Sequence, residues 1–295
     1  MRSDIHGKES MESGKHGKRG LLGKYGSYGF DEFWLDQLWR YRDNVWTESF
    51  LGPAEKKSMR AWLKDAELVD SKGKPTQLFS SLYDEGYYAN RTGASIVWVN
   101  LCYNSALFRW AAFAVPQLEM GRDEIVEAMG EEVPLQQRKI LARLLFQSVE
   151  QFFGKNLPFV AVEGEGRRAK LQWRLCPAED IDYIAFLYAL YRYAETNGYY
   201  AFTLSQLMQD LFAQKTLTDI AQTMETPIGL SPLRMFPMTM SEVKRLLRGL
   251  HTSFSKFITV ELVYDLDNIY VNPDKSSLDV VEFINFMRRG KAWKE

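Results

Sequence analysis

From Phe30 onward apolar residues recur at the spacing of helix turns, and β-like runs come only as short pairs around a turn. This pattern constrains the fold most, because a doubly wound parallel sheet needs strands separated by helical crossovers, and no such alternation is present. The expectation is a mainly α protein with small β-hairpins. Phe33, Trp34, Leu38 and Trp39 share one helical face behind Asp31, a suitable N-cap. Pro53 stands at the first helical position of a segment in which Met59, Trp62 and Leu63 recur up to Leu68. Val69 to Thr76 is a turn by composition, so residues 50 to 80 read as a helix followed by a hairpin-like excursion. One apolar helix is predicted over Ala94 to Ala114, ended by Pro116, and two more over Arg122 to Met129 and Leu135 to Phe153.

Two further hairpins are predicted. Phe159 to Val162 and Leu171 to Leu175 flank the turn Gly164-Glu165-Gly166. A helix over Asp180 to Thr196, stopped by Asn197-Gly198, opens the second half, and Thr203 and Thr218 are expected as caps. Thr239 and Glu242 form a capping-box pattern at the head of a helix reaching His251. Phe257 to Tyr264 and Ile269 to Val271 then pair around Asp265 to Asn268, and Leu278 to Met287 closes the chain as a helix. Helices followed by a hairpin are the order of a winged helix. The fold expected is therefore two winged-helix-like units joined by a helical middle region. The domain boundaries expected are a flexible basic Gly-rich arm over residues 1–29, a helical domain with a winged-helix-like unit over 30–178, and a C-terminal winged-helix-like domain over 179–295.

The arm is set apart by composition. Up to Lys24 it carries six basic residues against Asp4, Glu9 and Glu12, and glycine recurs every third position from Gly14 to Gly29. Without proline these triplets do not sustain a collagen helix, so they read as a flexible segment.

Composition excludes several classes. Thirty-seven Lys and Arg against 38 Asp and Glu leave a formal charge of −1, so a nucleic-acid partner would have to be held by a local patch. Two cysteines, Cys102 and Cys176, and three histidines, His6, His16 and His251, exclude a four-cysteine zinc ribbon and a disulfide scaffold. No metal ligand set is predicted. The polar start, the few cysteines and the lack of a membrane-spanning run predict a cytoplasmic protein with no membrane partner. There is no Gly-x-Ser-x-Gly, and Gly14-Lys15 is followed by His16 rather than Ser or Thr, so neither a serine hydrolase nor a phosphate-binding loop is read.

Two cationic stripes remain as candidate nucleic-acid contacts. Lys56, Arg60 and Lys64 repeat every fourth residue beside Lys57, and Lys72 and Lys74 follow in the expected wing. Lys244, Arg248 and His251 line one face of the later helix beside Arg245, opposite the apolar stripe Val243, Leu246, Leu247 and Leu250. A cationic helix preceding a hairpin is how a recognition helix meets the major groove and the phosphates. The same stripes are also what an ordinary solvated helix face carries. Acidic pairs that a two-metal nuclease would need are Asp84 with Glu85, Glu163 with Glu165, and Asp265 with Asp267, each also a normal turn composition. The helical spacing of Trp34, Trp39, Trp46, Trp62, Trp98 and Trp110 points to core packing, whereas Tyr87-Tyr88 and Tyr199-Tyr200 fall in turns.

Leu51-Gly52, Ser58-Met59-Arg60, Trp62-Leu63 and Leu68 resemble the "LG…S-x-R-x-W…L" stretch of a bacterial domain-of-unknown-function family. That family is encoded beside PAPS-reductase-like proteins in DNA phosphorothioation and defence operons. The resemblance continues through Thr76, Leu82, the Trp98 helix, Trp110, the Tyr188 to Glu195 segment, Phe236 and the Ile258 to Val271 hairpin. It implies a role in sulfur modification of DNA, in an operon with a cysteine desulfurase, an ATPase and a PAPS-reductase-like partner, and a nicking activity in one branch. None of the matched positions is a catalytic motif, so no catalytic residue is carried over, and the glycine-rich arm has no counterpart. The expected function is thus a DNA-binding accessory protein that contacts double-stranded DNA and needs no cofactor. The alternatives are a DNA nickase of the same system using Mg²⁺ or Mn²⁺, and a scaffold for a PAPS-reductase-like protein.

Overall fold

The structure is a computed structural model that describes residues 23–83, 91–113, 118–208, 215–224, 230–263 and 266–288. Most of the arm, Asp84 with Glu85, Tyr87-Tyr88 and Asp265 lie outside these residues. The chain is mostly helical with two small antiparallel sheets of three strands, as the periodicity predicts.

The first helices are α1 (Phe33–Tyr41), α2 (Pro53–Asp65) and α3 (Gln77–Leu82). The Asp31 carboxylate accepts from the Phe33 N–H at 2.9 Å, and Pro53 opens α2. Between α2 and α3 the excursion closes through a single Val69–Pro75 bridge and forms no strand. The apolar stretch expected as one helix is broken at Ser105 into α4 (Arg91–Asn104) and α5 (Ala106–Phe113). Arg109, buried on α5, needs that break, because its Nε donates to the Cys102 carbonyl at 3.1 Å and its Nη2 to that of Tyr103. Burial without a carboxylate partner pulls its pKa down to about 10.

The first sheet joins β1 (Glu119–Gly121), β2 (Val160–Glu163) and β3 (Lys170–Trp173) in the order β1-β3-β2. Between β1 and β2 run α6 (Arg122–Ala128) and α7 (Leu135–Ser148), the latter continued as a π-helical turn over Val149–Phe153. The second half repeats the plan. After α8 (Tyr183–Asn197) come β4 (Ala201–Thr203), three short helices α9 (Leu204–Leu207), α10 (Leu217–Gln222) and α11 (Pro232–Met235), then α12 (Met240–Ser253). The strands β5 (Ile258–Val263) and β6 (Leu266–Val271) complete a sheet of order β4-β6-β5, and α13 (Ser277–Arg288) follows. Helix, strand, helices, strand, strand, with the first strand against the third, therefore occurs twice: α5 to β3 and α8 to β6. The sequence shows both hairpins but neither β1 nor β4, three-residue strands too short to alternate visibly.

Caps explain the local boundaries. Asp182, not Asp180, caps α8 by accepting from Ile184 and Ala185 N–H, and Gly198 ends it at φ +71°. Thr216, not Thr218, caps α10. Thr239 caps α12 as expected, but the Glu242 carboxylate reaches the Ala178 N–H at 2.7 Å instead of returning to Thr239, so half of the capping box is spent on a tertiary contact.

One contiguous core unites these parts. Trp34, Trp62, Trp98 and Trp110 are fully buried in it, as their spacing predicts, whereas Trp39 and Trp46 are only partly buried against it. Trp98 lies edge-on to Phe108, Phe153 and Phe159, and its Nε1–H donates to the Met235 carbonyl at 3.1 Å, which ties both halves together. Among the described residues no helix is long and apolar enough to cross a membrane.

Candidate nucleic-acid interface

The first cationic stripe lies on α2. Lys57, Arg60 and Lys64 are exposed and Lys56 is half-buried. The far end of this helix is anchored. Its last carbonyls accept from Asn100 (Ala66 O, 3.0 Å) and Asn104 (Asp65 O, 2.9 Å), satisfying groups that a helix end otherwise leaves unpaired. Tyr25, stacked on Trp62 with centroids 3.6 Å apart, donates to Asp65, which also pairs with Lys24 at 2.6 Å. Burial pushes the Asp65 carboxyl up, with Lys24 opposing.

Arg60 has a structural partner. Its Nη2 donates to the Lys72 carbonyl at 2.6 Å and its guanidinium lies 5.3 Å from the Trp46 ring, while Trp46 Nε1–H donates to the Gly73 carbonyl at 2.8 Å. Gly73 has φ +87°, and a Cβ there would stand 2.8 Å from Trp46 Nε1, so this turn requires glycine. The Asp70 carboxylate closes it by accepting from Lys72 and Lys74 N–H, each at 2.8 Å. Lys72 and Lys74 are exposed on this turn, with Lys74 3.7 Å from an equally exposed Asp43, a weak pair.

The second stripe lies on α12, directly before a hairpin as the sequence predicts. Lys244 pairs with Asp267 at 2.6 Å, and Arg245 pairs with Glu179 and with Glu242 at 2.5 Å. Arg248 is exposed. The His251 Nδ1 accepts from the Val260 N–H at 3.2 Å and holds α12 to β5. Two of the three cations thus carry carboxylate partners that stand far away in sequence.

The Glu242 pairing has a pH consequence. The Ala178 N–H, with Arg245 adding, holds its carboxyl below the ordinary 4.5. A depressed carboxylate contributes stability that is complete above its unfolded pKa and is lost as pH falls through the lowered value. Glu242→Gln is expected to flatten the acid side of the stability profile below about pH 4.5, read by urea midpoints at a series of pH values. An unaltered profile would show that the contact is not coupled to folding.

Among the acidic pairs, Glu163 belongs to an exposed ladder on the first sheet. It pairs with Arg174 and accepts from Gln172 at 2.8 Å, while Lys170 pairs with Glu119. Asp267 is taken by Lys244. Among the described residues no three His, Cys, Asp or Glu side chains gather as a metal site. Tyr199 is 38% exposed, with its hydroxyl on that of Tyr193 at 2.9 Å. Cys102 and Cys176 are buried free thiols, and burial raises both.

Missing from the sequence reading is a groove of about 510 Å³ between α6 and α7, lined by Arg122, Asp123, Val126, Gln136, Lys139, Ile140 and Arg143. Gln136, Lys139 and Arg143 stand at i, i+3 and i+7, a stripe that was available in the sequence. Only the tertiary fold adds Arg122 from another helix. The helix that precedes the first true hairpin is α7, not α2, so α7 and α12 hold equivalent places in the two repeats.

No family model and no curated protein matches the sequence. Two solved structures share its architecture, SspB and SspB with a bound magnesium ion. Each aligns with a TM-score of 0.63 and 11% identity over 90% of this chain and 87% of the other. At that identity the likeness is one of fold, and the fold that this chain is similar to is that of SspB.

Proposed function

We propose that the chain is a DNA-binding accessory protein of a DNA sulfur-modification (phosphorothioation) or phage-defence system. The observation that supports this reading is the repeated order of elements, in which α7, continued by its π-helical turn and a short helix over Gly154–Asn156, and α12 each precede a two-stranded hairpin, the order of a winged helix. The system is suggested by the fold likeness to SspB, a phosphorothioation-system protein. Fold alone does not assign function, so the site has to be tested.

Phosphate contacts in this reading come from the exposed cations Lys57 and Lys64 on α2, Lys72 and Lys74 on its following turn, and Arg248 on α12. Arg60, Lys244 and Arg245 act mainly in holding local structure, given their carbonyl and carboxylate partners. Duplex affinity, read by fluorescence anisotropy over a salt series, is expected to fall steeply with ionic strength. Lys57→Gln, Lys64→Gln and Arg248→Gln together should flatten the log–log slope by about 0.9 for each contact removed. An unchanged slope, or no binding at low salt, would overturn the assignment. Relaxation of supercoiled plasmid with Mg²⁺ or Mn²⁺ but not with chelator would instead mark a nickase.

A further inference from the structure

The groove between α6 and α7 gathers cations from two helices around one cavity. On the first sheet and on α12 several cations are matched by carboxylates: Lys170 with Glu119, Arg174 with Glu163, Lys244 with Asp267, and Arg245 with Glu179 and Glu242. Arg122, Lys139 and Arg143 line one groove, and among the described residues none of them pairs with a carboxylate. Asp123 is the one acid in the lining. The Nε–H groups of Arg122 and Arg143 are shut off from solvent, and no described atom accepts from them. Three cations gathered around a single acid leave the groove with a local positive charge that an anion from outside the chain can offset.

The cations are also held in place. The Arg122 guanidinium lies 5.0 Å from the Phe146 ring, and Arg143 Nη2 reaches the Ser27 carbonyl at 3.5 Å. Val126 and Ile140 give the groove an apolar wall, where a charge–charge contact is screened less than in open water. Two guanidiniums, an ammonium and the Gln136 amide form a donor set suited to an oxyanion with several acceptor oxygens. Arginine forks match phosphate geometry in particular.

We propose that this groove is a phosphate clamp, in which Arg122, Lys139 and Arg143 hold the oxygens of one phosphoryl group. The phosphate comes either from a nucleic-acid backbone or from a free phosphorylated ligand. Assigning it to a duplex rests on the DNA-binding reading, but the clamp itself does not. Inorganic pyrophosphate is therefore the first probe, titrated without DNA and followed by ³¹P NMR line broadening and by calorimetry.

Pyrophosphate is expected to bind the full chain, and Lys139→Glu should weaken that binding at least tenfold. Lys155→Glu makes the same charge change at an exposed site outside the groove and should leave binding unaltered. Lys139 is exposed, so its substitution spares the core, and Arg143→Gln gives a second reading once circular dichroism shows it folded. If pyrophosphate displaces a duplex and Lys139→Glu weakens duplex binding, the phosphate belongs to the backbone. If pyrophosphate binding needs Lys139 while duplex binding ignores it, the clamp takes a free phosphorylated ligand. No pyrophosphate binding in the millimolar range, or equal weakening by both lysine variants, overturns the clamp, while the DNA-binding reading would still stand or fall on its own salt slope.

Discussion

Trp98→Ala is expected to be the most damaging single substitution in the core. The indole is 1% exposed and sits edge-on between Phe108, Phe153 and Phe159, rings contributed by α5, the π-helical turn and the approach to β2. Truncating a buried tryptophan to alanine costs about 3–5 kcal/mol, because its transfer energy is lost and a cavity is left. The Met235 carbonyl loses its donor as well, which adds about 1 kcal/mol if no water enters. That carbonyl belongs to the second repeat, so the substitution loosens the contact between the two halves as well as the first. A large drop in the urea midpoint with the slope preserved is the expected result. A loss below about 1 kcal/mol would mean that neighbouring rings refill the site.

Removing the Arg192 guanidinium should have the second-largest effect. Its Nη1 donates to Glu67 Oε2 at 2.6 Å, to Asn100 Oδ1 at 2.8 Å and to the Tyr188 hydroxyl at 3.1 Å, and its Nη2 reaches Glu67 Oε1 at 2.8 Å. Burial disfavours the charge, but Tyr188 and Glu67 together outweigh it and push the Arg192 pKa up. Glu67 itself stands at φ +60°, so the network also secures a backbone conformation that an L residue seldom adopts. Arg192→Met would strand a carboxylate among buried polar groups, a break that costs about 3–5 kcal/mol when both charges are buried. The Glu67 side chain is 38% exposed, so solvent can partly take over and the expected loss is nearer about 2–3 kcal/mol. A double-mutant cycle with Glu67→Gln separates the pair from its surroundings. A coupling energy near zero would show that Asn100 and Tyr188, not Glu67, are what Arg192 secures.

The Arg192 network lies where α2 and α4 meet α8, and this place decides how the α2 stripe is to be read. Asn100, Asn104 and Arg192 fasten the helix end, and Tyr25 and Lys24 close over Asp65. The residues that carry the sequence resemblance, such as Trp62 and Leu63, are core positions on this helix. They report how α2 is packed and say nothing of what its outer face touches. The outer face keeps Lys57 and Lys64 exposed, which is why the duplex variants are placed there.

Helical periodicity made α1, α2, α7, α8 and α12 legible, along with both hairpins and the burial of Trp34, Trp62, Trp98 and Trp110. Each of these signals is local: a repeat of about 3.6 residues, a proline at a helix start, an asparagine-glycine stop. By itself, therefore, the sequence determined a mainly α chain with small antiparallel hairpins and a tryptophan-rich core. The tertiary structure alone decided where the first helix-before-hairpin unit lies, since β1 at Glu119–Gly121 pairs with β3 at Lys170–Trp173, and a three-residue strand has no period to detect. It also decided which cations are free to act. Asp267 and Glu179 quench Lys244 and Arg245 from other elements, while Arg122 joins Lys139 and Arg143 from a separate helix. Coulomb attraction depends on distance in space, and separation along the chain does not specify that distance until the core has packed.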